Sequence, residues 1–108
     1  MSDARAIYKE GFEHFLGRRP EQAVACYRRA LELDPRLAIA WSALARALGD
    51  LGQLDPAIEA AQRLIELEPE EPLGHTTLSI LYQRKGMIAE AEEEKAHAMR
   101  LQMKAQRR

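Results

Sequence analysis

Three histidines and one cysteine are the side chains of this 108-residue chain best suited to acid–base, nucleophilic or metal chemistry. His14, His75 and His97 stand 61 and 22 residues apart, and no two share a spacing that one helix would bring together. A metal site needs three or four converging ligands, so the spacing predicts none. Cys26 adjoins Tyr27, with no His or Asn pattern to mark a nucleophile, and is expected to be a small, partly buried residue. No glycine-rich loop suited to cradling phosphate and no paired-carboxylate arrangement is present. The acidic runs "EPEEP" (68–72) and "EAEEEK" (90–95) are expected to be solvated surface. The chain is expected to be neither an enzyme nor a cofactor carrier.

The elements that position these side chains follow from composition and periodicity. Apolar residues make up 46% of the chain and charged residues 31%, the balance of a globular protein. Ala, Leu, Glu, Arg and Gln dominate, all strong helix formers, while Val24 is the one valine. The net charge of −1 gives no general attraction to nucleic acid or to an anionic membrane, so neither is expected as a partner. No apolar run reaches the roughly 18 residues of a membrane span. The opening "MSDARAIYKEG" lacks the order of a signal peptide. A lone cysteine fits a reducing compartment, and a cytoplasmic location is expected.

The phrase "RRALELDP" (28–35) returns 34 positions later as "QRLIELEP" (62–69). At that shift Ala23, Ala57 and Ala91 coincide, as do Leu33, Leu67 and Leu101, Pro35 and Pro69, Leu44 and Leu78, and Gly52 and Gly86. Gly17 falls one place before the register. A fixed period of this length signals stacked repeats, each one supersecondary unit. Apolar spacing of three and four within each unit predicts helices over about 3–16, 20–33, 37–50, 55–67, 72–85 and 88–105. Asp55 is expected to cap the fourth, ahead of Pro56. Gly11, Ala45 and Ser79 occupy equivalent places, as do the three alanines, and small residues there would let helices approach closely.

These residues resemble the tetratricopeptide repeat. The second unit carries Trp41, Leu44, Ala45, Leu48, Gly52, Ala57, Ala61, Leu64 and Pro69 at that family's signature places. The first has Glu10 where Leu is usual, and the third has His75, Lys95 and Met103 at the Trp, aromatic and Pro places. The resemblance implies an all-α, right-handed superhelical solenoid of three antiparallel helix pairs in a single domain over 1–108, with repeats near 4–37, 38–71 and 72–105. The first helix of each pair would line a concave face, and the protein would be a non-catalytic adaptor or scaffold that binds a protein or peptide.

By that resemblance the groove residues are Tyr8, Phe12 and Phe15 in the first unit, Ser42, Arg46 and Gly49 in the second, and Thr76, Ile80 and Gln83 in the third. Arg5, Ile39 and Leu73 are groove positions as well, with Asp50 and Arg84 at the edge. Gly49 is expected to leave a gap that a ligand side chain could enter. Family members that hold the acidic tails of heat-shock chaperones use a carboxylate clamp on this face. The corresponding places here hold Tyr8, Phe12, Arg46, Thr76 and Ile80, and only Arg46 would grip a carboxylate. An apolar or amphipathic segment is therefore the expected ligand.

No proline follows Leu101, so the last helix is expected to run on. Glu90, Glu93 and Glu94 at its start and Arg100, Lys104, Arg107 and Arg108 at its end complement the helix dipole. Solenoids commonly need a polar cap. Met99, Leu101 and Met103 would then be covered either by the stems of their own basic neighbours or by a second chain. The alternative reading is therefore a self-associating element, a homodimer or larger, with its groove or C-terminal end filled by another copy.

Overall fold

The computed structural model describes residues 3–107. Arg108 of the basic C-terminal stretch lies outside them. Among the described residues six helices follow one another: α1 (Asp3–Leu16), α2 (Pro20–Leu33), α3 (Ala38–Asp50), α4 (Leu54–Leu67), α5 (Leu73–Arg84) and α6 (Ile88–Gln106). Among the described residues there is no strand. Each helix pair, α1–α2, α3–α4 and α5–α6, forms one unit of the repeat.

The turns inside the units explain two of the repeated glycines. Gly52 and Gly86 have φ of 77° and 82°, and a Cβ at either would meet no atom within 4 Å. Only the left-handed backbone requires glycine there. In the first unit that place falls to Arg18, at φ 62°, and not to its neighbour Gly17. The one-residue offset of the first glycine therefore leaves a strained arginine in the turn.

The expectation that Asp55 caps the fourth helix is wrong. The chain re-enters helix directly after Gly52: α4 begins at Leu54 behind Gln53, with no side-chain cap, and the Ala57 amide already donates to the Gln53 carbonyl at 3.2 Å. Asp55 thus lies inside the first turn, where its charge suits the helix dipole. Its Oδ1 accepts from Lys85 Nζ at 2.6 Å, joining the second unit to the turn after α5.

Small residues set the helix spacing. Ala23, Ala57 and Ala91 are buried at equivalent places in the second helix of each unit. At Gly11 an added Cβ would stand 2.8 Å from Tyr27 Cε1 and 2.9 Å from Cys26 Cβ, closer than real carbons approach. Tyr27, one of the two largest fully buried side chains, takes up the room that Gly11 leaves. Leu44 and Leu78 are buried, whereas Glu10 at the same place on α1 is exposed, which is why a carboxylate is tolerated there. Trp41 donates its Nε1–H to the Pro35 carbonyl at 2.7 Å, fastening the turn between the first two units.

Curvature follows from which helices meet. Consecutive helices pack together, and so do α1 with α3 and α3 with α5. Among the described residues α2 does not reach α4, nor α4 α6. The first helices therefore line the inner wall and the second helices fan out behind them. The extended last helix is present: α6 has 19 residues against 12 to 14 in the others. Lys104 on the added length reaches back to Glu70 in the loop before α5, Nζ to Oε1 3.2 Å, so one residue of the "EPEEP" run has a partner. Met99 and Met103, one helical turn apart, stay about half exposed. No helix is long and apolar enough to cross a membrane.

Candidate functional site

Between the three first helices lies a groove with a volume of about 520 Å³. Its wall on α1 is aromatic because Tyr8, Phe12 and Phe15 recur at four and three residues, on one helix face. Their rings form a continuous ladder. Tyr8 stacks on buried Tyr27 at 5.7 Å and on Phe12 at 6.2 Å, and Phe12 stacks on Phe15 at 6.4 Å. The Arg46 guanidinium lies over the Phe15 ring at 5.5 Å, crossing from α3 to α1. A cation over an aromatic face is held electrostatically, so Arg46 is positioned before any ligand arrives. Among the described residues no carboxylate pairs with it.

Ten of the twelve groove residues read from sequence line this groove: Tyr8, Phe12, Phe15, Ile39, Ser42, Arg46, Gly49, Leu73, Thr76 and Ile80. Asp50, expected at the edge, also lines it, and Arg5 does not. Phe12, Ile39, Leu73 and Ile80 are exposed at 42%, 47%, 52% and 48%, a large apolar presence for open side chains. Ser42 and Thr76 supply hydroxyls between them, and Thr76 Oγ1 already donates to the Pro72 carbonyl at 3.2 Å.

Two details of the expected groove are corrected. Gln83 lies outside the lining and Arg84 takes its place, since the inner stripe of α5 steps from Ile80 by four residues rather than three. Arg84 Nη1 donates to the Gly49 carbonyl at 3.0 Å. The gap at Gly49 is not open to a ligand: a Cβ there would stand 3.1 Å from Leu81 Cδ2 and 3.5 Å from Arg84 Nη1. The missing side chain lets α5 press against α3, and the groove floor is closed by the protein itself. Sequence reasoning also missed Tyr27, Ala43, Ala45, Thr77 and Leu81. The first three lie beneath the inner stripe, and no pattern in the chain marks how deep the floor sits.

Outside the groove, the fold brings together histidines that lie far apart in sequence. His75 is 6% exposed, its ring stacked on that of His97 at 4.0 Å, and its Nδ1 lies 2.6 Å from Glu94 Oε1. Their separation of 22 residues is the distance from one helix, around the turn, to the facing side of its partner. His14 is engaged differently, accepting at Nδ1 from Arg19 Nε at 3.0 Å. Cys26 is fully rather than partly buried. Burial first, and then Glu10, push its thiol above the usual range against the opposing pull of Arg29, which makes it a poor nucleophile. Burial, with Tyr8 and Cys26 adding to it, pushes the Tyr27 phenol up to about 12.

Several known proteins share this architecture. The crystal structure of MamA superposes with a TM-score of 0.94 at 26% identity, over 97% of this chain and 61% of that one. The second TPR of Spaghetti (RPAP3), bound to the HSP90 peptide SRMEEVD, gives 0.85 at 19% identity over 91% of both chains. In sequence, the TPR repeat-containing thioredoxin TTL4 of Arabidopsis thaliana is 31% identical over 97 residues, 90% of this chain and 14% of that protein. A pentatricopeptide repeat-containing protein of the same plant is 44% identical over 52 residues, 48% of this chain and 7% of its own. The chain thus spans a small fraction of the curated relatives it matches. The family model for TPR repeats matches residues 19–52, and that for tetratricopeptide repeats matches residues 38–71. Each match is as long as the period that the buried alanines set, and the chain belongs to the tetratricopeptide-repeat family.

Proposed function

We propose that this protein is a non-catalytic interaction module whose concave groove takes an apolar or amphipathic segment of another protein, with one acidic group of that segment placed at Arg46. The observation that carries the reading is the ladder of Tyr8, Phe12 and Phe15 ending under the unpaired Arg46 guanidinium. Aromatic and arginine side chains make effective anchors because they bury much area for few frozen torsions. Open apolar side chains gathered on one concave face suit a ligand better than water. The Spaghetti (RPAP3) repeats hold an acidic peptide. Among the described residues the free cation of the inner wall is Arg46, while Arg84 is committed to the Gly49 carbonyl, so a wholly acidic tail finds one strong partner. A cytoplasmic setting belongs to this reading and is supported by the lone cysteine.

The test is a selection from a random peptide library on the purified protein. Enriched peptides should carry large apolar residues at helical or alternate spacing together with one Asp or Glu. They should bind Phe12→Ala more weakly by about 1–3 kcal/mol. Peptides that are uniformly acidic, or that bind folded Phe12→Ala as well as the wild type, overturn the reading.

A second reading, self-association, is favoured by the half-exposed Met99 and Met103 on the last two turns of α6. Sedimentation at high micromolar concentration separates the two: a dimer abolished by Met99→Glu/Met103→Glu supports it, and a monomer removes it.

A further inference from the structure

The third helix pair departs from the other two at three places that meet in space. His75 stands where the second unit has Trp41, Glu94 where it has Ala60, and His97 where it has Arg63. Ala60 and its counterpart Cys26 are small and buried, yet the third unit puts a carboxylate at that place. Trp41 turns its ring N–H to a carbonyl of the preceding turn, whereas His75 turns its Nδ1 to α6. A buried imidazole, a carboxylate and a second imidazole are thus gathered where packing alone has been served by indole and methyl.

We propose that His75, Glu94 and His97 form a binding site, separate from the groove, for one divalent d-block cation of the zinc type. One ligand atom from each residue lies within 4.8 Å of the other two. Glu94 and His97 are three residues apart on α6 and so share a helix face. α5 holds His75 opposite them, and the Ser79 hydroxyl, one turn further along α5, donates to the Ala91 carbonyl of α6 at 2.8 Å and fixes the two helices. Zinc with bonds of about 2.0–2.1 Å needs its donors about 3.3 Å apart. His75 Nδ1 and Glu94 Oε1, now 2.6 Å apart, have to separate by under about 1 Å, which terminal side-chain torsions allow. The rings are stacked, 24° between planes, and exposed His97 has to turn about its side-chain torsions so that the in-plane lone pairs of the two imidazoles converge on the cation. Two imidazoles and one carboxylate are a common zinc set, and the fourth position, beside exposed His97, falls to water.

The other gathering of such groups, Glu10, His14 and Cys26, fits a cation less well. The Arg19 guanidinium already donates to His14, bringing positive charge to the place. The Cys26 thiol is held protonated by its burial.

The experiment titrates metal-free full-length protein with zinc alone, and separately with cobalt(II) as a spectroscopic probe. The expected result is one cation per chain, visible d–d absorption from the cobalt form, and a Tm that rises by roughly 10 °C when free zinc is a hundredfold above Kd. His97→Ala removes an exposed ring, so the metal-free Tm should change by less than about 2 °C while Kd rises about tenfold or more. Cys26→Ser should leave the zinc Kd unchanged. The proposal is overturned if the wild type shows no saturable zinc binding, if His97→Ala binds zinc as tightly as the wild type, or if Cys26→Ser abolishes binding.

Discussion

Gly11→Ala sets two effects of similar size against each other, and the structure decides the sign. Gly11 lies in the interior of α1, where alanine is the better helix former by about 1 kcal/mol. Against this, the new methyl would stand 2.8 and 2.9 Å from two carbons of the Tyr27 ring and 2.9 Å from Cys26 Cβ. The Cβ of Cys26 is fixed by the backbone of α2, and the Tyr27 ring is 1% exposed and packed against Tyr8, so neither can yield freely. Overpacking of this kind costs about 1–3 kcal/mol. The net expectation is a destabilisation of about 1 kcal/mol, or a fall in Tm of roughly 4–8 °C for a domain of this size. The second unit carries the compensated combination, Ala45 facing Ala61, both fully buried. On a Tyr27→Ala background the Gly11→Ala change should therefore be less harmful or stabilising. Urea denaturation of the four proteins in this cycle gives both the sign and the coupling. A single Gly11→Ala variant more stable than the wild type by the propensity gain would refute the close approach of α1 and α2.

Arg18→Gly should stabilise the protein by about 0.5–1 kcal/mol by relieving the left-handed arginine, while Gly52→Ala should destabilise it by a similar amount; a shift in the urea midpoint at constant slope reads both. Tyr27 holds its proton more tightly folded than unfolded, so the folded state binds more protons above pH 10 and stability falls as pH rises from about 10 to 12. The slope there should approach about 1.4 kcal/mol per pH unit, followed by denaturation against pH beside tyrosinate absorbance. Removing the charge with Arg46→Gln should weaken an acid-containing groove ligand and flatten the salt dependence of its Kd, with little change in unfolding midpoint, because the side chain is exposed.

Much of the architecture was legible because repetition states it more than once. Ala23, Ala57 and Ala91 mark a crossing three times over, and every helix ends within a residue of where its apolar spacing stops. The aromatic wall was legible too, since Tyr8, Phe12 and Phe15 lie on one helix and need no tertiary contact to share a face. What failed depends on contacts between helices. The closing of the Gly49 gap by Leu81 and Arg84 joins residues 32 and 35 positions apart, which no local pattern links. The meeting of His75 with Glu94 and His97 is of the same kind, set by how α5 and α6 face each other. Asp55 failed for a local reason: the helix starts a residue before its Asp-Pro signal because Gly52 turns the chain straight into it.

The groove is tested most directly by mapping a library-selected peptide onto the isotope-labelled protein by NMR. Amide and side-chain shifts should concentrate on Tyr8, Phe12, Phe15, Ser42, Arg46, Thr76 and Ile80 along the inner wall. Shifts gathered instead on the outer faces of α2, α4 and α6, with the aromatic ladder unmoved, would contradict the account.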